Sequence, residues 1–240
     1  MVPTVLLVQM SLAGGDAQFG ARFVRLAANS AGLAAITELL AVAFALVLAY
    51  GARLSRSPLA AAVNRAAALG YAVPGAVIAI GVLIPVARLD NALADAGIFS
   101  RVVLTGSIAV LVYAYLIRFL GVALQTVEAG LARVTPHMED AARSLGMGAG
   151  ATLARVHAPM LRSSLVTAAL LVFVDVMKEL PETFVMRPFN FDTLAVQAYN
   201  LATDERLAEA STASLAIVAV GLLPVIIASR RLVRDRDRRK

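Results

Sequence analysis

The chain has 240 residues, of which 60% are hydrophobic and 16% charged, with a mean hydropathy of +0.79. That balance is too apolar and too poor in charge for an ordinary soluble domain, and it predicts an integral membrane protein in contact with the lipid bilayer. The net charge of +6 does not describe a nucleic-acid surface, because the excess sits largely in SRRLVRDRDRRK beside a C-terminal apolar run. There is no cysteine, which excludes disulfides and thiolate metal sites.

The first segment, VPTVLLVQMSLA, is apolar over about a dozen residues and lacks the basic flank of a signal peptide. It reads as the remaining end of a truncated membrane helix, with a surface-lying segment as the alternative. Crossing about 30 Å of hydrocarbon takes about 20 mainly apolar residues. Five stretches meet that length, at 30–51, 67–87, 102–124, 163–180 and 210–229. They are long, alanine-rich and do not alternate, so they predict helices and not barrel strands. The expected fold is an all-α polytopic helical bundle of about five full transmembrane helices plus the truncated first one. Within the second stretch, AVPGAV around Pro74 and Gly75 offers small residues for close helix packing, the favoured reading, or for a kink.

Charge orients the spans. Arg53, Arg56 and Arg65 lie between the first two with no acid among them, and Arg230 to Lys240 form a basic tail after the last. Both segments are therefore expected in the cytoplasm, together with the loop 127–162. The acid-rich NFDTLAVQAYNLATDERLAE then falls outside, and Arg118 sits near the cytoplasmic end of its helix, where it can snorkel.

The loop contains EDAARSLGMGAGATLARVHAP, polar and glycine-rich in an otherwise apolar chain. Thr135 can cap a helix whose first position is Pro136, Glu139 and Asp140 favour its N-terminal half, and Gly146 can end it in a left-handed conformation. Met138, Ala141, Ala142 and Leu145 are spaced to share one face. Two alanines in the middle of that face allow another protein's surface to approach closely, with the acids gripping by charge. A helix lying on lipid is the alternative, but its apolar face is small and its acids oppose an anionic leaflet. Gly148 and Gly150 loosen the chain before a second short helix, and Pro159 suits the first turn of the next span.

The pattern Asp140-Ala141-Ala142, three residues, Gly146, nine residues, then Val156-x-Ala158-Pro159 resembles the EAA loop of membrane subunits from binding-protein-dependent ABC importers. The usual form is Glu-Ala-Ala, Gly, then Ile-x-Leu-Pro. Asp, Val and Ala replace three of those residues here, the spacing is kept, and Glu139 stands next to Asp140. RLAANSAGLAA, GYAVPGAVIAIGVLIP, VEAGLARVTP and VFVDVMKELPETFVMRPFNFDTLAVQAYNLATDERLAEA extend the likeness to ferric-iron importer permeases, most closely the C-terminal half of chains in which two halves are fused. The resemblance implies a single type I permease domain over 1–240 in a bacterial inner membrane, with a cytoplasmic C-terminus and 127–162 as the coupling loop. It implies docking of Glu139, Asp140, Ala141, Ala142, Gly146 and Pro159 on an ATP-binding subunit, present in two copies. A second permease half or homodimer mate and a periplasmic substrate-binding protein complete the expected assembly. Thiamine, sulfate and phosphonate are the alternative cargoes in related permeases.

The chain itself carries no expected catalytic site. A phosphate-binding loop needs a lysine after a glycine, and neither Lys178 nor Lys240 follows one, so GMGAG is no nucleotide site and ATP hydrolysis belongs to another subunit. His137 and His157 are too few and too far apart for a zinc site of the HExxH kind, and no cofactor is expected. The intramembrane charges Glu38, Asp175, Lys178 and Glu179 are each costly in hydrocarbon and therefore expected to face the protein interior or a water-filled path, and Glu182 just beyond the span is expected on the same pathway. Asp175 with Lys178, or Lys178 with Glu182, can pair along one helix face, and Pro181 interrupts that helix as in transporters whose broken helices line the route. Similar membrane depths also predict a pair between Glu38 and Lys178. A proton-coupled transporter using Glu38 and Asp175, or a membrane-embedded hydrolase, are the alternatives these charges leave open.

Overall fold

A computed structural model of the chain describes residues 2–14, 20–55, 57–97 and 104–237. Arg56, the start of the third predicted span and the side chains of the basic tail lie outside the described residues. In chain order the helices are α1 (Val2–Gly14), α2 (Ala21–Ser55), α3 (Pro58–Leu69), α4 (Gly75–Asp95), α5 (Ile108–Leu131), α6 (Pro136–Ser144), α7 (Ala149–Met160), α8 (Arg162–Met177), α9 (Pro181–Met186), α10 (Leu194–Thr203) and α11 (Leu207–Asp237). Among the described residues there is no strand.

Three of these helices, α2, α4 and α5, are long and apolar enough to cross a membrane. A fourth crossing is reached if α7 and α8 are counted together across a 77° bend. The apolar parts of α1 and α11, Thr4–Gly14 and Leu207–Leu222, are shorter, although α11 continues as helix through the predicted 210–229. The 35 residues of α2 extend about 52 Å at 1.5 Å each, well beyond the hydrocarbon. Its surplus turns carry Arg22 and Arg25 at one end and Arg53 at the other.

Several boundaries differ from the sequence expectation for identifiable reasons. The second span begins at Gly75, eight residues later than 67, because Val73 before Pro74 is extended (φ −80°, ψ 132°) and α4 restarts after the proline. The stretch before it forms α3 and a 3₁₀ turn, Gly70–Ala72. The third span is delayed to Ile108 by a turn with Gly106 at φ +78°, after which Ser107 Oγ accepts the amide of Val110. The fourth ends at Met177 and not at 180, since Pro181 opens α9 as its first residue.

The chain divides into two compact units, the first comprising residues 1–36, 74–115 and 173–240. In it, buried Asp90 accepts the amides of Leu104 (3.0 Å) and Thr105 (2.7 Å), fixing the turn ahead of α5 to α4. Ser30 Oγ accepts the Leu194 amide (2.9 Å) and Asn29 donates to the Asp192 carbonyl (3.0 Å), so α2 holds the entry to α10. The second unit comprises residues 37–73 and 116–172. Its tightest approach is between the α3 end and α5, where an added Cβ on Gly70 would stand 1.9 Å from the Ile117 carbonyl oxygen, and one on Gly121 would stand 2.9 Å from that of Ala68. Asn64, buried on α3, donates to Glu128 on α5 at 2.7 Å in the same interface.

The candidate coupling loop

The loop between α5 and α8 folds as the sequence expects in outline. Thr135 is extended (φ −74°, ψ 146°), Pro136 opens α6, and Gly146 takes φ +78° after the last turn. The Gly146 and Met147 amides then return to the carbonyls of Arg143 and Ala142, which closes the helix end. Thr135 contributes its backbone carbonyl to Met138, but its side chain makes no capping bond.

The faces of α6 are divided differently from the expectation. Ala142 is buried at 4% exposure, so it packs on its own chain and is withdrawn from any partner. Glu139, three residues before it, turns the same way. Outward stand Met138 at 39% exposure, Ala141, and Leu145 at 82%, rimmed by the exposed ion pair Asp140–Arg143 at 2.9 Å. Sequence spacing grouped four apolar residues on one face, but an alanine is small enough for either side, and the acid has a half-buried cation to meet on the inner side.

That cation is Arg53, at the last turn of α2. Its Nε donates to Glu139 Oε1 at 2.6 Å, its Nη1 to the Leu131 carbonyl at 2.5 Å and its Nη2 to the Val134 carbonyl at 2.6 Å. The last two acceptors are at the end of α5 and just beyond it, where carbonyls lack helix partners and the helix dipole is negative. One guanidinium therefore joins α2, α5 and α6, using the planar fork that lysine lacks. Tyr50, three residues earlier on the same face of α2, donates to the Ala149 carbonyl at the start of α7 (3.2 Å), and its ring meets His157 at 5.0 Å between centroids. The sequence presented Arg53 only as an orienting charge and gave no sign of Tyr50, because their hydrogen-bond partners lie 78 to 99 residues further on.

His157 is fully buried in α7, outside the three single-helix spans α2, α4 and α5, with Nε2 at 3.3 Å from Glu139 Oε1. Burial pushes its pKa below the ordinary imidazole value; the Glu139 charge opposes this and Arg53 adds to it. Pro159 is not at the start of α8 as expected. It sits in the last turn of α7, directly after the π-helical turn Leu153–His157. A proline there donates no amide to Arg155 and crowds its carbonyl, and the widened turn and the 77° bend into α8 accommodate it.

The charges predicted for the pathway do not form one set. In the first unit Glu182 is fully buried at 0% exposure, Glu179 is buried beside it, and the Glu182 amide donates to Glu179 Oε1 at 3.3 Å. Thr183 donates to the Glu179 carbonyl at 2.8 Å and its hydroxyl bonds that of Tyr115. Lys178 instead lies just past the end of α8 at 59% exposure, paired with Asp175 at 2.8 Å, and is not sunk among apolar residues. Glu38 is half-buried on α2 in the second unit. Among the described residues no group of three or more acidic or histidine side chains could hold a metal ion.

No family model matches the chain. Among curated proteins it is 26% identical over 229 residues to the Fe(3+)-transport system permease protein FbpB 2 of Haemophilus influenzae, covering 94% of this chain and 43% of that protein. It is 28% identical over 120 residues to the putative 2-aminoethylphosphonate transport system permease protein PhnV of Salmonella paratyphi A, covering 50% of this chain and 45% of that protein. The alignments thus span less than half the length of these curated relatives. Two solved structures share the fold. One is a bacterial ABC transporter that imports the acidic polysaccharide alginate (TM-score 0.72, 18% identity, 97% of this chain and 88% of that one). The other is a bacterial alginate ABC transporter in complex with its alginate pentasaccharide-bound periplasmic protein (TM-score 0.74, 16% identity, 96% and 88%).

Proposed function

We propose that this chain, which resembles binding-protein-dependent ABC importer permeases in sequence and shares their fold, is a membrane-spanning subunit of an ATP-driven importer. The observation that carries the reading is α6: a short helix anchored from behind by Arg53, presenting Met138, Ala141 and Leu145 outward within a charged rim. An apolar edge rimmed by charge suits a protein partner. The partner is an ATP-hydrolysing subunit in two copies, and its closure moves the loop 127–162, so that the membrane helices alternate between outward-open and inward-open states. A second permease half or a second copy completes the pathway, and a periplasmic binding protein delivers the cargo. The loop and the basic tail 230–240 face the cytoplasm, in keeping with their arginines.

Ferric iron is the proposed cargo, supported by a relative whose likeness runs through 94% of the chain, against half of it for the phosphonate permease relative. Co-purification with the partner subunits, then ATP hydrolysis and uptake in proteoliposomes with binding protein loaded with ferric iron or with 2-aminoethylphosphonate, tests both levels. Stimulation by the ferric form alone supports the proposal, and stimulation by the phosphonate form alone replaces the cargo. Uptake driven by a proton gradient without ATP removes the ABC reading. Single cysteines in this cysteine-free chain test orientation: position 203 should react with an impermeant thiol reagent in intact cells, and position 144 should not.

A further inference from the structure

We infer that Arg53, supported by Tyr50, is the positioning residue through which movement of the docked loop reaches the membrane helices. This rests on the reading of the chain as an ABC importer permease. Both short helices of the loop hang on the last two turns of α2: α6 through Glu139 on Arg53, and α7 through the Ala149 carbonyl and the His157 ring on Tyr50. The same guanidinium holds the carbonyls of Leu131 and Val134. Displacement of α6 therefore pulls on α2 and on the α5 terminus together, through one planar group with three acceptors in fixed directions. Without it, buried Ala142 and the closed turn at Gly146 still hold α6 with Met138 and Leu145 outward, so a partner can still dock there, but the movement is absorbed by the glycines at 146, 148 and 150. α2 then ceases to follow.

The test uses the complete transporter in proteoliposomes and measures three quantities: cross-linking of a cysteine at position 145 to the ATP-hydrolysing subunit, ATP hydrolysis, and cargo uptake. Arg53→Met should retain the cross-link and hydrolysis while uptake per ATP falls by about tenfold. Arg53→Lys, which can serve one acceptor at a time, should recover part of the loss, and Tyr50→Phe should lose less than Arg53→Met. If Arg53→Met fails to accumulate, Arg53→Lys carries the test, since it must still lower uptake per ATP. Unchanged uptake per ATP in a folded Arg53 variant overturns the inference. So does loss of cross-linking, hydrolysis and uptake in equal proportion, which would mean that the residue only maintains the fold. A wild-type chain that neither cross-links nor takes up cargo with ATP overturns the permease reading, and this inference with it; a working wild type with an indifferent Arg53→Met overturns this inference alone.

Discussion

Helices α6 and α9 are built to one plan and come to different ends. Each is short, opens on a proline, Pro136 or Pro181, and turns a glutamate inward, Glu139 or Glu182, while exposing apolar side chains. In α9 the outward residues are Phe184 and Val185, with no charge beside them within the helix, and buried Thr183 and Met186 complete the inner face. In α6 the outward residues Met138 and Leu145 are accompanied by the exposed Asp140–Arg143 pair. An unrimmed apolar edge next to apolar helices is suited to lipid, and a rimmed one to a protein surface. Their surroundings differ as well: Glu139 meets the Arg53 guanidinium, and at α9 the backbone amide of Glu182 donates to the Glu179 carboxylate.

The largest effect should come from reversing the inward acid of α6. Glu139→Arg would place two guanidinium groups together at a largely buried site, with an expected loss of about 3 kcal/mol in thermal unfolding in detergent. Asp140→Arg, on the exposed rim, should change stability by less than about 0.5 kcal/mol and yet weaken docking of the partner subunit. Equal stability losses in the two variants would erase the distinction between the inner and outer faces of α6.

How much of this was legible in the sequence depends on the range of the cause. Pro136 and Gly146 fix the ends of α6 by local backbone chemistry, and both could be read directly. The partner of the inward acid could not, because it is Arg53, 86 residues before Glu139, and a lone arginine after an apolar run has the same appearance whether it snorkels or clamps. The span limits failed for a local reason. The apolar run from 67 is continuous in composition, but Pro74 divides it, and Gly106 with Ser107 sets back the start of α5. The buried pair Glu179 and Glu182 was visible only as costly charge; the hydroxyl that meets the neighbouring Thr183, that of Tyr115, comes from a different helix.

Gly146 offers an intermediate effect. At φ +78° a side chain is strained even though an added Cβ would meet nothing within 4 Å, so Gly146→Val should cost about 1–2 kcal/mol. If the thermal midpoint is unchanged, the left-handed end of α6 is not maintained in the membrane. The comparison predicts no such penalty at the end of α9, where Arg187 takes φ −57°.

His157 adds a dependence on pH confined to the loop unit. Its folded pKa is lowered from 6.5, so the unfolded chain binds the proton more tightly. Stability is therefore kept above the ordinary imidazole value and lost as pH falls below it towards the folded value. His157→Gln should flatten that part of the profile, read from thermal midpoints across the acid range. A wild-type profile that rises on acidification would mean that Glu139 outweighs burial and the ring is charged in the fold.

The smallest effect is expected at Lys178, where sequence and structure disagree most. Read as a charge inside a span, Lys178 needs Glu38 to offset its desolvation, and losing it should leave a buried acid alone. The structure puts it beyond the end of α8, mostly exposed and paired with Asp175 three residues back. Lys178 is 59% exposed, although Asp175 is only 14% exposed, so Lys178→Met should cost about 1 kcal/mol and its effect should add to that of Glu38→Gln. The double-mutant cycle in detergent decides between them. A loss of several kcal/mol for Lys178→Met, recovered in the double variant, would restore the Glu38 pair and place Lys178 among the buried charges with Glu179 and Glu182. Additivity instead leaves Glu179 and Glu182 as the buried acids at the α8–α9 junction, the ones for which α9 has to provide a polar interior.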